Sequence, residues 1–447
     1  MKALHSKFSL PLIVTALLAA GPVLAQDNWL TTWMASPQPT WGNELPLPTR
    51  IPESLADSTI HQKLRVSVGG SQIRVVVSNE YGKQPLLIGA ARVAAMEEGE
   101  SVRTGSGQFL RFGGEEQVSI APGETRTSDP VALAVPALGD LLVSLYLPQR
   151  TPLTTFHWDG KQTAFIAPGN QVNAQRLEGK EQVEARLFLS DILVDAPLDS
   201  RALVVLGDSI TDGNGSTLDS NRRWPDFLAQ RLASEKVAVL NGGISGARLL
   251  EDGMGASALA RFERDVLSKP GVKSVVLMLG INDISWPGTA FAPNTPLPSL
   301  ERLIAGYRQL IDQAHRRNVR IIGTTLLPFE GALRGSIIEH YHSAPKEQLR
   351  QALNQWIRTG QAFDAVIDFD QMTRDPRHPT RLLPQIDSGD HLHPGMWGIG
   401  RWRRGWIWSC FFEGDRCVGG GETGCCLDEI GRLGSRPNCL RRESLGL

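Results

Sequence analysis

From residue 29 to about 195 the apolar positions recur at every second residue in short runs. Leu64-Arg65-Val66-Ser67-Val68 alternates, Gly69-Gly70 turns the chain, and Ile73-Arg74-Val75-Val76-Val77 follows. This pattern predicts a β-hairpin. Further runs at 86–88, 117–120, 141–147 and 186–194 are separated by Gly, Pro, Asn and Asp, with no sustained helical period. The expectation for 26–198 is an all-β domain, a sandwich or jelly-roll-like fold. Beyond Pro197 the texture changes. Short apolar runs at 203–206, 237–240, 274–279, 319–323 and 365–367 have the continuous character of strands buried on both faces. Between them, 224–232, 256–267, 300–316 and 346–359 carry helical spacing. Strand and helix in alternation predict right-handed crossovers and a doubly wound parallel sheet, an α/β domain over 199–394. Ligands of such a sheet sit beyond the carboxyl ends of its strands.

The N-terminus is patterned differently again. Lys2 and Lys7 precede an apolar run from Phe8 to Ala20, and Val23-Leu24-Ala25 supplies small residues at a cleavage site. This reads as a signal peptide over 1–25, cut after Ala25, and predicts a secreted or periplasmic protein. The apolar run is shorter than the roughly 20 residues that span a bilayer, so stable membrane insertion is not expected. Two domains suit a chain of 447 residues, and a hydrophobic content of 41% suits a globular one. A formal net charge of −1 offers no basis for nucleic-acid binding.

Four segments carry candidate chemistry, each just after a predicted strand or beyond the last. Gly207-Asp208-Ser209-Ile210-Thr211-Asp212-Gly213 presents a serine on a glycine-containing turn. Asn241-Gly242-Gly243-Ile244-Ser245-Gly246 follows the second strand, Gly280-Ile281-Asn282-Asp283 the third, and Asp390-His391-Leu392-His393-Pro394 lies beyond the last. A loop serine alone means little. Four such segments converging on one crevice suit nucleophilic catalysis. No close metal-ligand pair and no phosphate-binding glycine loop is present, so neither a metal nor a nucleotide cofactor is implied.

In order and spacing these segments resemble the four blocks of the SGNH, or GDSL, hydrolase superfamily, over about 200–394. The resemblance implies a flavodoxin-like α/β fold and an esterase activity. It makes Ser209 the nucleophile, with His393 as its base and Asp390 as the residue that orients His393. It implies an oxyanion hole built from the backbone N–H groups of Ser209 and Gly246 and the side-chain amide of Asn282. His391 lacks the Asp-x-x-His spacing and reads as an exposed loop residue, as do Asp387 and His378. Asp208 and Asp283 read as structural hydrogen-bond partners, and Trp224 as core.

Trp33-Met34-Ala35-Ser36-Pro37-Gln38, Val68-Gly69-Gly70-Ser71 and Ser78-Asn79-Glu80-Tyr81-Gly82 resemble the β domain of a bacterial two-domain acylhydrolase subfamily. That subfamily includes arylesterases and xylan-associated acetyl esterases. The implied substrate is a small acyl ester or an acetylated plant polysaccharide. The alternatives are a lipase or thioesterase of the same fold, or a carbohydrate-binding protein with an impaired hydrolase domain.

After Pro394 the family pattern stops. Members continue with an amphipathic helix of the form x-Asp-x-Gly-Tyr-x-x-Met-Ala, whereas here residues 395–447 are rich in Trp, Gly and Arg and hold all five cysteines. A disulfide framework is normally spread through the fold that it staples. Met and Trp each have one codon. With allowed codons elsewhere, reading one nucleotide earlier turns Met396-Trp397-Gly398-Ile399-Gly400-Arg401-Trp402-Arg403 into Asp-Val-Gly-Tyr-Arg-Ala-Met-Ala. The expectation is that the tail from about 395 is out of frame.

Overall fold

The computed structural model describes residues 28–97, 101–176 and 181–395. The expected leader, and the tail apart from Gly395, lie outside the described residues. The alternating N-terminal runs form strands β1 (Trp29–Met34), β2 (Ser58–Arg65), β3 (Gly70–Ser78), β4 (Ala90–Ala95), β5 (Asp140–Leu147), β6 (Thr155–His157), β7 (Ala164–Pro168) and β8 (Leu189–Asp195). Pairing is antiparallel throughout. One sheet runs β1–β8–β3 and the other β7–β2–β5–β4, each with shorter flanking strands. On β3 the side chains of Ile73, Val75 and Val77 are fully buried while Ser71 and Gln72 are exposed. Those side chains share a core with Leu64, Val93, Leu141, Val143 and Leu145 of the other sheet. Strand alternation thus buries one face of each sheet against its counterpart.

The expected hairpin about Gly69-Gly70 does not form. Strands β2 and β3 are consecutive but lie in different sheets. Alternation specifies which face of a strand is buried, and two strands facing each other across a core satisfy it as well as two paired ones. The crossing is tight. A Cβ on Gly69 would stand 2.2 Å from the Val135 carbonyl oxygen. Thr32 Oγ1 accepts from the N–H groups of Ser67 and Val68 as the chain passes.

The second half contains the parallel strands β9 (Arg201–Gly207), β10 (Val237–Gly243), β11 (Val272–Met278), β12 (Arg320–Thr324) and β13 (Ala365–Ile367), ordered β10–β9–β11–β12–β13. Helices α1 (Ser209–Asp212), α2 (Trp224–Leu232), α3 (Ala258–Phe262), α4 (Ile281–Ser285), α5 (Leu300–Arg316) and α6 (Ala344–Thr359) connect and cover them. The segment expected as one helix over 256–267 is α3 followed by a wider π-helical turn, Glu263–Leu267. Trp224, Leu228 and Leu232 of α2 pack with Leu203 and Val205 on one face of the sheet. Leu303, Tyr307 and Leu310 of α5 pack with Val204, Leu206 and Val275 on the other. That second core is continuous with the interior of the β sandwich. The two halves also bond through backbone: Val239 N–H donates to Ser67 Oγ at 2.9 Å and Thr31 N–H to the Pro270 carbonyl at 3.1 Å. Strand order reverses at β9, whose neighbours β10 and β11 continue the chain on opposite sides. The crevice at its carboxyl end is therefore where a site is expected. Among the described residues no helix is long and apolar enough to cross a membrane.

Candidate active site

Strand β9 ends at Gly207, and one residue later α1 begins. Asp208 caps that helix, its Oδ1 accepting the Ile210 N–H at 3.0 Å. The cap turns the chain sharply enough to leave Ser209 at the helix start, beyond the sheet edge. His393 Nε2 lies 2.8 Å from Ser209 Oγ, and Asp390 Oδ2 lies 2.5 Å from His393 Nδ1. Ser209 and His393 are buried, while a third of the Asp390 side chain is exposed. Asp390 Oδ1 further accepts from the N–H groups of Leu392 and His393 and from Ser388 Oγ–H. Burial alone would raise its pKa, but the His393 ring and these N–H donors hold the carboxyl well below the usual carboxylate range. The sequence-predicted Ser209, His393 and Asp390 therefore meet in one linear hydrogen-bonded chain.

The loop after β10 is sewn to the elbow. Asn241 Nδ2 donates to the Thr211 carbonyl, Ile244 N–H to the Gly207 carbonyl, and Ser245 N–H to Asp212 Oδ2. Approach at Gly243 is so close that a Cβ would stand 2.3 Å from Asp212 N. Gly246 has φ +76°, a conformation that favours glycine, and a Cβ there would meet Met254 Sδ at 2.6 Å and the Trp286 ring at 3.0 Å. Neither the Ser209 nor the Gly246 N–H has a partner among the described residues. Both are free to donate. Asn282, buried on α4, gives one amide hydrogen to the Ala247 carbonyl at 2.9 Å, next to Gly246, and keeps the other.

The other residues singled out in the sequence divide as their surroundings dictate. Asp283 is buried and accepts from the N–H groups of Leu249 and Leu250. Burial pushes its carboxyl up to about 6, and burial likewise pushes Asp208 up to about 7. His391 is exposed and bonds to Asp387 at 2.6 Å. His378 is exposed too. Trp224 lies in the core.

Two contributors were not anticipated. Tyr341 Oη donates to Asn282 Oδ1 at 2.7 Å and so fixes which way the amide faces. Arg261, fully buried, donates to the carbonyls of Gly207 and Gly242 at the ends of β9 and β10 and pairs with Asp265 at 3.0 Å. The signal for Arg261 was an arginine on the apolar stripe of its helix, between Ala258 and Phe262. Nothing in the sequence pointed to Tyr341.

The model of the GDSL-like lipase/acylhydrolase family matches residues 205–398. No curated protein matches the chain. Solved structures similar to it include a family two carbohydrate esterase from Cellvibrio japonicus, at 13% identity over 85% of this chain and 93% of that one, with a TM-score of 0.34. An acetylxylan esterase from Geobacillus stearothermophilus is similar at 22% identity over 49% of this chain and 98% of that one, with a TM-score of 0.34. A GDSL-like lipase from Bacteroides thetaiotaomicron is similar at 19% identity over 45% and 84%, with a TM-score of 0.33. The α/β part of this chain is thus similar to the hydrolases of the GDSL-like lipase/acylhydrolase family.

Proposed function

We propose that the protein is an exported serine esterase that removes short acyl groups, acetyl groups on plant polysaccharide among them, through a covalent acyl-enzyme. One observation carries this reading: the Asp390–His393–Ser209 chain of 2.5 and 2.8 Å, beside two backbone N–H groups without partners. In the first half-reaction Ser209 Oγ attacks the ester carbonyl carbon as His393 Nε2 takes the hydroxyl proton. The carbonyl oxygen becomes an oxyanion, received by the N–H groups of Ser209 and Gly246 and the free amide hydrogen of Asn282. Collapse breaks the C–O bond, and His393 returns its proton to the departing alcohol. Water then attacks the acyl-enzyme with His393 as base, releasing the acid and restoring Ser209.

A short acyl group is favoured by the crowding around the nucleophile. Ser209 is buried, and Met254 and Trp286 fill the space behind Gly246. The motifs of the β domain favour an acetylated polysaccharide as the natural substrate. The leader pattern favours export, with a mature chain starting at Gln26. A second reading is favoured by the loss of the family pattern after Pro394: a carbohydrate-binding protein whose hydrolase half is impaired. Assays on p-nitrophenyl acetate, butyrate and octanoate, and on acetylated xylan, separate these readings. Rapid turnover of acetate that falls with chain length is expected. No turnover of any ester, with retained binding to xylan, would favour the second reading.

A further inference from the structure

The β sandwich reaches the site through one buried histidine. His157, the last residue of β6, has an acceptor at each ring nitrogen: the Ser36 carbonyl 3.0 Å from Nδ1 and Asp212 Oδ1 2.9 Å from Nε2. A carbonyl oxygen can only accept, so Nδ1 carries a proton. The other oxygen of Asp212 accepts twice, from the N–H and the Oγ–H of Ser245, each at 2.9 Å. Asp212 Oδ1 is thereby placed to accept from a proton-bearing Nε2. A ring with two N–H groups is an imidazolium.

The groups facing this ring agree. Burial by itself would strip the proton, but Asp212 and, from its own segment, Asp159 outweigh it and hold the pKa above the ordinary value. Asp159 is itself paired with Lys161 at 3.1 Å. Asp212 also feels Arg223, which pairs with Asp226 at 2.9 Å.

Asp212 is the last residue of α1, three positions after Ser209, and Ser245 immediately precedes Gly246. A single carboxylate thus ties the end of the nucleophile elbow to the loop with the second unpartnered N–H. We propose that His157 is a positioning residue for ester hydrolysis: through Asp212 it fixes the separation between the Ser209 and Gly246 N–H groups. The proposal rests on the esterase reading of the site. Without His157, Asp212 Oδ1 would lose its donor in a buried site, and the carboxyl would turn to relieve that cost. Turning frees Ser245. Oxyanion donors misplaced by a fraction of an ångström lose much of their effect.

The test uses the full chain. Nitrogen-15 imidazole spectra at pH 7.5, with His157 assigned by its loss in His157→Gln, read its protonation without reference to activity. Two proton-bearing ring nitrogens are expected, and a neutral ring overturns the proposal. On p-nitrophenyl acetate, His157→Gln and Asp212→Asn should each lower kcat by roughly 10–100-fold. KM should stay within about threefold, because ground-state binding does not use the donors. His61→Gln, at a buried histidine bonded to Ser144 in the other sheet, serves as control and should leave kcat unchanged. A kcat in His157→Gln equal to that of the wild type, or matched by an equal fall in His61→Gln, sinks the proposal. A wild type with the imidazolium but no ester turnover sinks the esterase reading, and the catalytic purpose of the pair with it.

Discussion

Tyr341 Oη and Asn282 Oδ1 meet at 2.7 Å in a buried contact between segments 59 residues apart. The contact decides the chemistry that Asn282 can offer. With Oδ1 held by Tyr341 and one amide hydrogen on the Ala247 carbonyl, only the second amide hydrogen remains for an oxyanion. Asn282→Ala should therefore lower kcat by about 10²–10³-fold. Tyr341→Phe keeps the packing but frees the amide to rotate, at a cost equal to one hydrogen bond, roughly 3–10-fold in kcat. Steady-state kinetics on p-nitrophenyl acetate check both. Equal effects, or a larger one at Tyr341, would show that the amide is not the donor.

The relay gives a sharper contrast between two histidines of one loop. His393 stands between Ser209 and Asp390, whereas His391, exposed, bonds only Asp387 among the described residues. Ser209→Ala and His393→Ala should each reduce kcat by about 10⁴-fold or more. His391→Ala should stay within about twofold. Fluorophosphonate labelling should vanish in Ser209→Ala while the melting curve stays cooperative. Labelling that survives would move the nucleophile elsewhere.

Much of the site was legible because its residues travel with strand ends. Gly207 to Gly213, Asn241 to Gly246 and Gly280 to Asp283 each follow a buried apolar run, and a parallel sheet brings all such ends to one edge. The supports were not legible. His157 meets Asp212 across 55 residues, and Arg261 meets Gly207 across 54. A buried polar residue is chosen by its partner in space, which periodicity does not record. The hairpin about Gly69-Gly70 failed for a related reason: alternation marks a buried face and is silent on whether the next strand pairs beside it or packs opposite.

The loop that carries His393 runs directly into the tail. Within the described residues that loop is fixed by Ser388 N–H on the His393 carbonyl and by Gly395 N–H on the Ile386 carbonyl. The family match ends at 398, and the residues from 395 onward are rich in Trp, Gly and Arg without a 3.6-residue period. An amphipathic helix that buries several apolar side chains contributes about 1.5–3 kcal/mol for each. Such a sum rivals the net stability of a whole domain. Replacing residues from 396 onward by the alternative reading frame should raise both the melting temperature and kcat. If the two chains melt at the same temperature and turn over acetate equally fast, the tail as written is a working part of the fold.

Asp208 links the elbow to pH. The residue is buried, and burial pushes its pKa up to about 7, against the pull of the Ile210 N–H and the His393 charge. A carboxyl whose folded pKa lies above its unfolded value binds its proton more tightly in the native state. The stabilisation is complete below the usual carboxylate range and is lost as pH rises through about 7. A rise of that size above the ordinary aspartate value corresponds to on the order of 4 kcal/mol, all of it gone above that pH. An asparagine can still accept the Ile210 N–H through its side-chain oxygen and never ionises. Asp208→Asn should therefore match the wild type in melting temperature near pH 4 and exceed it by several degrees at pH 8. Asp283, raised to about 6 for the same reason, should behave alike with its crossover about one pH unit lower. Thermal melts from pH 4 to 8 provide the check. A difference between Asp208→Asn and wild type that stays constant across that range would mean that Asp208 ionises as easily inside the fold as outside it, and that its burial carries no linkage to stability.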